Sequence, residues 1–402
     1  MKNAKIVICG ISSTGKTTLL KALEQMPNFN IIEGSKTLCK IANLADSSRL
    51  KESSENQRNQ LGDKFLDILE SKNENIIFVD GHYSFYNPQN QSFEIAMNDR
   101  DFRIYDIVLF LETDIKLIQK RLQDRGKEWN IKDLQTWHNF ELESCKKKAE
   151  EHSKIFSVIS SENIEIEAKY LASFINTILY NPELLEPKCI FDNFLQTYKL
   201  PKNKKIILVD CDGTLSNQDA VKQFYKVKEV ENYKIPNAFL NHRFYGLYQF
   251  FKLTQKRLEL DEHMFNNACK IAASHIRLNN NLIQALLDTN YNVIAISAGI
   301  RKIWDIVFKQ HNLDFFLVAN NRITTIAQDT KAYFAKELVK RGYEVVAIGD
   351  GIVDSGMLEN ANKAILIKNN KTQKILQNIK KIEHVHIIDS DIDKKTIRGF
   401  LC

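Results

Sequence analysis

The stretch Lys5–Leu20, KIVICGISSTGKTTLL, passes from an apolar run through a glycine-bounded turn into a helix-forming run. An uninterrupted apolar strand has to be covered on both faces, which places it inside a parallel sheet flanked by helices and makes this half of the chain α/β. The turn, Gly10–Thr17, has the spacing G-x-x-x-x-G-K-[ST]. Between a strand and a helix, that spacing aims backbone N–H groups at phosphate oxygens, brings the lysine to the β and γ phosphates of ATP and offers the threonine hydroxyl to magnesium. Lys16 and Thr17 take those roles, Gly10 and Gly15 keep the backbone bare, and Ser13, Thr14 and Thr18 complete the expected ATP-binding set. The magnesium shell needs a carboxylate at the end of a neighbouring strand; Asp80 in IIFVDGHYS stands there by pattern, with His82 two residues on.

A second junction of strand and turn lies at Ile206–Ser216, IILVDCDGTLS. Asp210 and Asp212, one residue apart and followed by Gly-Thr, sit side by side on a turn whose N–H groups can receive a phosphoryl oxygen. One carboxylate can attack phosphorus while the other protonates the leaving oxygen. Later strand ends supply what that chemistry lacks. Ser297 closes VIAIS and, with the N–H groups of Ala298 and Gly299, can bind the phosphoryl group; Lys331 can neutralise charge between nucleophile and phosphate. Asp350 and Asp354 in AIGDGIVDSGML, together with Asp210 and the backbone carbonyl of Asp212, would make an oxygen-rich magnesium shell.

A chain of 402 residues exceeds what one core supports, and the two motifs fall in different halves. Strands are expected in KIVICG, NIIFVDG and IYDIVLFLE, then in KKIILVDCDG, NVIAISAG, EVVAIGDG and KAILIK. Helical stretches are expected through NFELESCKKKAEEHSKIF and AKYLASFINTIL. Three of the six prolines, Pro182, Pro187 and Pro201, cluster just before the second motif, so the expected division is a first domain over 1–180, a linker over 181–204 and a second domain over 205–402. From 216 to about 274 the strand signal vanishes and aromatic, helix-forming sequence replaces it. No apolar run approaches the roughly 18 residues of a membrane span, and the start MKNAKIVICG enters a strand pattern directly, so a cytoplasmic protein is expected. The seven scattered cysteines show no C-x-x-C spacing and are expected to be reduced thiols. From Leu200 onward the chain holds 30 Lys+Arg against 21 Asp+Glu, a balance of +9, which would suit an anionic substrate but reads first as lysines scattered over the surface.

In its first half, the phosphate loop followed by IIFVDGHYS and YDIVLFLETDIKLIQKRLQDRG resembles the archaeal-type adenylate kinases and related small nucleoside and nucleotide kinases, over about residues 1–180. The resemblance implies that Arg121 and Arg125 are lid arginines that stabilise the phosphoryl group in flight, and that SSRLKESSENQRNQLGDKF covers the acceptor with Arg49 and Arg58 as contacts. In its second half, the ordered set behind D-x-D-G-T resembles the haloacid dehalogenase superfamily of phosphohydrolases, in its phosphoserine-phosphatase-like branch, over about residues 204–370. That resemblance implies a Rossmann-like domain with a helical cap over about 216–274, Asp210 as the nucleophile that becomes an aspartyl phosphate, Asp212 as acid then base, Ser297 and Lys331 on the phosphate, and Asp350 and Asp354 on magnesium. Val353 stands where phosphoserine phosphatases carry Asn, which weakens the case for that substrate; Asp219 and Arg257 fall near the positions that read a substrate amine and carboxylate.

Three readings follow. The leading one is a bifunctional enzyme, an ATP-dependent kinase of a small molecule of the nucleoside or nucleotide class joined to a magnesium-dependent phosphatase. The second is nucleic-acid end healing, since polynucleotide kinase-phosphatases share the domain order. The third is an ATP-binding regulatory unit that controls a phosphatase. A helical lid over the phosphatase site favours small substrates over polymers, and no aromatic and basic interleaving of the single-strand-binding kind is present.

Overall fold

The computed structural model describes residues 3–45, 54–73, 76–160, 163–235, 246–389 and 393–401. The chain divides into two compact units, Met1–Tyr180 and Asn181–Cys402.

In the first unit, β1 (Ala4–Cys9) leads through the phosphate loop into α1 (Lys16–Glu24), then β2 (Phe29–Glu33), α2 (Gly34–Ile41), α3 (Glu55–Ser71) and β3 (Ile76–Asp80). A short antiparallel hairpin follows, β4 (Ser84–Asn87) and β5 (Ser92–Ile95). Next come α4 (Asp99–Ile104), β6 (Ile107–Glu112), α5 (Ile115–Gln123), α6 (Ile131–Glu151), β7 (Ile155–Ser160) and α7 (Ile164–Tyr180). The five long strands form a parallel sheet in the order β2-β3-β1-β6-β7. From β1 the chain first winds one way to β2 and later crosses to β6, so the carboxyl end of β1, where the phosphate loop begins, lies at the point where the winding reverses. The helix expected to run through NFELESCKKKAEEHSKIF stops at Glu151: a left-handed residue, Ser153 (φ 53°), breaks it, and IFSVIS becomes the edge strand β7.

In the second unit, the segment expected to be a linker is folded. α8 (Pro187–Thr197) starts on a helix-compatible proline and buries Ile190, Phe191 and Phe194 in the unit's own core. Then follow β8 (Lys205–Val209), α9 (Ala220–Phe224), α10 (Leu247–Leu258), α11 (Glu262–Ser274), α12 (Asn280–Leu287), β9 (Asn292–Ile300), α13 (Arg301–Gln310), β10 (Phe316–Asn320) and α14 (Gln328–Lys340). The unit ends with β11 (Glu344–Gly349), α15 (Ser355–Asn360), β12 (Lys363–Ile367), α16 (Thr372–Gln377), β13 (Val385–Ile388) and α17 (Lys394–Leu401). Six parallel strands run in the order β10-β9-β8-β11-β12-β13. Their side chains alternate between two cores. Ile207, Val209, Val293, Ala295, Val346 and Ile348 face one layer with Phe224, Phe265 and Trp304, while Ile206, Leu208, Ile294, Ile296, Val345 and Ala347 face the other with Phe191, Phe194 and Phe334. The interval expected to be a helical cap contributes α9, α10 and α11; residues 236–245 within it lie outside the described set. Phe224, Val227, Val230, Leu260 and Phe265 from that interval join the first layer, so the interval shares the sheet's core.

Among the described residues the six cysteines are free thiols, and no helix is long and apolar enough to cross a membrane.

Candidate active sites

Lys16 and Thr17 open α1 directly behind a loop in which Gly10 (φ 141°), Ser13 (φ 68°) and Gly15 (φ 108°) hold positive φ. This succession curls the backbone N–H groups inward, the shape an anion fills. Lys16, 6% exposed, turns its ammonium onto the Gly10 carbonyl and, at 3.3 Å, the Ile11 carbonyl, positions it would exchange for phosphate oxygens. Burial lowers its pKa. Arg121 donates to the Ser13 and Thr14 carbonyls at 3.0 and 3.1 Å, and Arg125 to the Ser13 hydroxyl at 3.3 Å, so both expected lid arginines touch the loop. Asp80 ends β3 beside β1 and accepts the Gly34 N–H at 2.6 Å; burial raises its pKa. Its carboxylate and the exposed Thr17 hydroxyl are the oxygen donors on hand for magnesium. His82 brings Nε2 to 3.5 Å from Lys16 Nζ. Arg58 pairs with Glu94 at 2.8 Å, and Arg49 lies outside the described residues.

A fully buried residue that sequence reasoning passed over supports this loop. Glu141 of α6 accepts the Gly10 N–H at 3.1 Å and the Tyr83 N–H at 3.2 Å through one oxygen. It occupies the apolar stripe Leu134, Trp137, His138, Leu142, Cys145, and a carboxylate on that stripe was the available signal. Burial pushes its carboxyl up to about 7, against the opposing pull of Lys16. A groove of about 290 Å³ runs from Thr17 along Lys21 and Glu24 toward Lys36 and Lys40 of α2 and Phe65 of α3.

In the second unit Asp210 follows β8, is 5% exposed, and donates its N–H to the Ile348 carbonyl of β11 at 2.9 Å. The turn after it depends on Gly213, whose φ of +85° and position against the Asp350 carboxylate leave no room for a side chain. Oxygens of Asp210, Asp350 and Asp354 lie within 4.8 Å of one another. Lys331 of α14 contacts Asp210 and, at 2.7 Å, Asp354. Three carboxylates, Asp210 and Asp354 buried and Asp350 half-buried, against one ammonium leave excess negative charge among hard oxygen donors, a set that fits magnesium. Burial and then repulsion from Asp354 raise Asp210 well above the usual carboxylate range, and the same causes push Asp350 up to about 7. Burial works against the charge of Lys331, yet Asp210 and Asp354 hold its pKa above the ordinary lysine value. Asp350 is fixed by Thr214 at 3.3 Å and Asn369 at 3.1 Å; Asp354 accepts the Asp350 and Gly351 N–H groups at 3.2 and 2.9 Å.

The Asp212 carboxylate does not join that cluster. It accepts the Ala220 N–H at 2.5 Å, the Ser297 hydroxyl at 3.3 Å and the indole N–H of Trp304 at 3.4 Å. Burial, then the charge of Asp219, pushes it up to about 6. Ser297 also accepts the Gly299 N–H at 2.9 Å. Trp304 reads in RKIWDIVF as an ordinary core residue, and nothing in the sequence marks its contact with Asp212. Asp219 caps α9 through the Lys222 N–H at 2.9 Å. Arg257 is 2% exposed, with its Nε at 3.3 Å from the Tyr225 hydroxyl.

A family model described as AAA domain matches residues 9–138. Comparison with curated protein sequences gave no match. Among solved structures, the chain is similar to a phospho-aspartyl intermediate analogue of phosphoserine phosphatase, with 20% identity, 49% of this chain and 98% of that chain covered, and a TM-score of 0.36. It is similar also to shikimate kinase from Acinetobacter baumannii in complex with shikimate, with 13% identity, 44% and 96% covered, and a TM-score of 0.34. A gluconokinase from Sinorhizobium meliloti matches with 12% identity, 46% and 97% covered, and a TM-score of 0.30. The chain joins two α/β units, each built on a parallel sheet, and the AAA domain model falls within the first of them.

Proposed function

We propose that the protein is a bifunctional phosphoryl-transfer enzyme: an ATP-dependent kinase of a small acceptor in the first unit, of the nucleoside or nucleotide class that the adenylate-kinase-like motifs imply, and a magnesium-dependent phosphomonoesterase in the second. The observation that carries this reading is the division of the four carboxylates. Asp210 stands with Asp350, Asp354 and Lys331, whereas Asp212 is turned away onto Ser297, Ala220 and Trp304. Asp210 then attacks phosphorus, forming an aspartyl phosphate as the P–O bond to the leaving alkoxide breaks. Asp212 gives its proton to that alkoxide and afterwards takes one from the water that hydrolyses the acyl phosphate. Lys331, Ser297 and the Gly299 N–H stabilise charge on the phosphoryl oxygens. Bound among Asp210, Asp350 and Asp354, magnesium would neutralise charge between the nucleophile and its target.

In the first unit Lys16 holds the transferred phosphoryl group, Arg121 and Arg125 stabilise its charge in flight, and Asp80 and Thr17 would hold the magnesium that accompanies ATP. The buried Arg257 guanidinium has a phenol as its partner and calls for an anion, which supports a phosphatase substrate bearing a second acidic group. Val353 speaks against phosphoserine itself. Rapid quenching of turnover with a ³²P-labelled phosphomonoester tests the phosphatase assignment. Acid-stable label on wild-type protein that is absent from Asp210→Asn is expected; wild-type turnover with no trapped label under any quench would refute it.

A further inference from the structure

Beside the phosphate loop the β4–β5 hairpin leaves one large aromatic side chain uncovered. Ser84 and Tyr86 face inward and are buried, while the alternate residue Phe85 points outward and is 40% exposed. Phe85 is no isolated surface apolar residue. Its ring lies 5.1 Å from that of His82 and 6.5 Å from that of Trp137, and the His82 and Trp137 rings stack at 6.2 Å. His82 connects this ring to the loop, since its Nε2 is 3.5 Å from Lys16 Nζ.

The hairpin is rigidly backed. Trp137 donates its indole N–H to the Ser84 carbonyl at 3.0 Å, Tyr86 packs on Phe93 at 4.9 Å, and Phe93 stacks on Phe140 at 3.7 Å. A surface fixed in this way can offer a flat apolar face without losing side-chain entropy on binding. Polar groups sit at its edge. Glu94 is the residue opposite Phe85 in the antiparallel register, so it shares the outward face, and Arg58 of α3 holds its carboxylate at 2.8 Å. An apolar face with a carboxylate and a guanidinium at its border matches a ring that stacks through its π face and hydrogen-bonds through its edge.

We propose that Phe85 is the stacking wall of the phosphoryl-acceptor site and that the acceptor carries a planar heteroaromatic ring of the nucleoside class, its edge read by Glu94 and Arg58. The proposal rests on the kinase reading of the first unit. It adds which surface selects the acceptor. The ring would lie on Phe85 with its sugar hydroxyl directed past His82 toward the phosphate held by Lys16.

The test is calorimetric titration of the full chain, saturated with a non-hydrolysable ATP analogue and magnesium, with adenosine, cytidine and gluconate in turn. At least one nucleoside should bind wild type, Phe85→Ala should weaken it about five- to hundredfold, the range for loss of one base–aromatic stack, and Phe85→Tyr should restore it. Affinity for the ATP analogue should stay within about twofold across the variants. Circular dichroism matched to wild type shows that Phe85→Ala is folded. Unchanged nucleoside affinity in Phe85→Ala, binding of gluconate but neither nucleoside, no nucleoside binding to wild type, or a loss that falls on the ATP analogue would each overturn the proposal. Failure of the kinase reading has a different signature: nucleoside binding that depends on Phe85, with no label transferred from γ-³²P-ATP.

Discussion

Asp212 accepts hydrogen bonds from a backbone N–H, a hydroxyl and an indole, and the indole is the unusual one. A buried Trp N–H requires an acceptor, and here that acceptor is the group assigned to protonate the leaving oxygen. Trp304→Phe should leave Asp212 less firmly oriented and slow turnover of an alkyl phosphate by about tenfold, the loss of one modest hydrogen bond. Hydrolysis of p-nitrophenyl phosphate should fall much less, because its phenolate departs without a proton. Equal losses on both substrates would reduce Trp304 to a packing residue. Glu141 makes a prediction of the opposite kind, about stability. Its carboxyl is pushed by burial from an ordinary 4.5 up to about 7, so between those pH values the folded chain holds a proton that the unfolded chain has released. Stability from this residue is therefore full below about pH 4.5, falls as pH rises toward 7 and is level above. Glu141→Gln should remove that slope, improving on wild type by roughly 3 kcal/mol more at pH 8 than at pH 4.5. A pH-independent difference in denaturation midpoints would contradict it. The motif residues were legible because strand-end carboxylates and a glycine-bounded lysine have few structural uses. Trp304 and Glu141 were not, since their roles depend on neighbours 92 and 131 positions away in sequence.

At the scale of elements, the strands expected from the sequence are β1, β3 and β6 in one sheet and β8, β9, β11 and β12 in the other, which are the interior strands of each. The four strands of these two sheets that escaped, β2, β7, β10 and β13, are the edges; the β4–β5 hairpin escaped as well. An interior strand is apolar on both faces and reads as a continuous run, whereas the edge strands β2 and β13 mix exposed and buried residues, in the Phe29–Glu33 and Val385–Ile388 patterns. The supposed linker was misread for a related reason: its prolines suggested a break, yet Pro187 occupies the first turn of α8, where a missing N–H costs nothing. Phe194 of α8, 4% exposed, packs within 5.7 Å of the rings of Phe191, Tyr198, Phe316 and Phe334. Phe194→Ala in the full chain should cost about 3 to 5 kcal/mol. Thermal inactivation of the phosphatase would move to lower temperature while ATP-dependent transfer keeps its own midpoint. A phosphatase midpoint unchanged by Phe194→Ala would return the segment to the status of a tether.

In the whole molecule the two sites solve one chemical problem from opposite ends. In the proposed function, backbone N–H groups and Lys16 cradle a phosphate that is to leave its nucleotide, and Asp210 presents a carboxylate to a phosphate that is to leave its ester. Each site lies at the carboxyl end of the strand where its parallel sheet reverses winding, and each contains its own lysine and its own carboxylate, Lys16 with Asp80 and Lys331 with Asp210. Their independence is the central claim, and one paired measurement tests it most directly: ATP-dependent phosphoryl transfer and phosphomonoester hydrolysis assayed on the same preparations of wild type, Lys16→Ala and Asp210→Asn. Loss of at least a hundredfold in transfer for Lys16→Ala with hydrolysis intact, and the reverse for Asp210→Asn, is the predicted result, since each variant removes several kcal/mol of transition-state stabilisation from one site alone. Abolition of both activities by Lys16→Ala would contradict the account and make the first unit an ATP-binding control of the second.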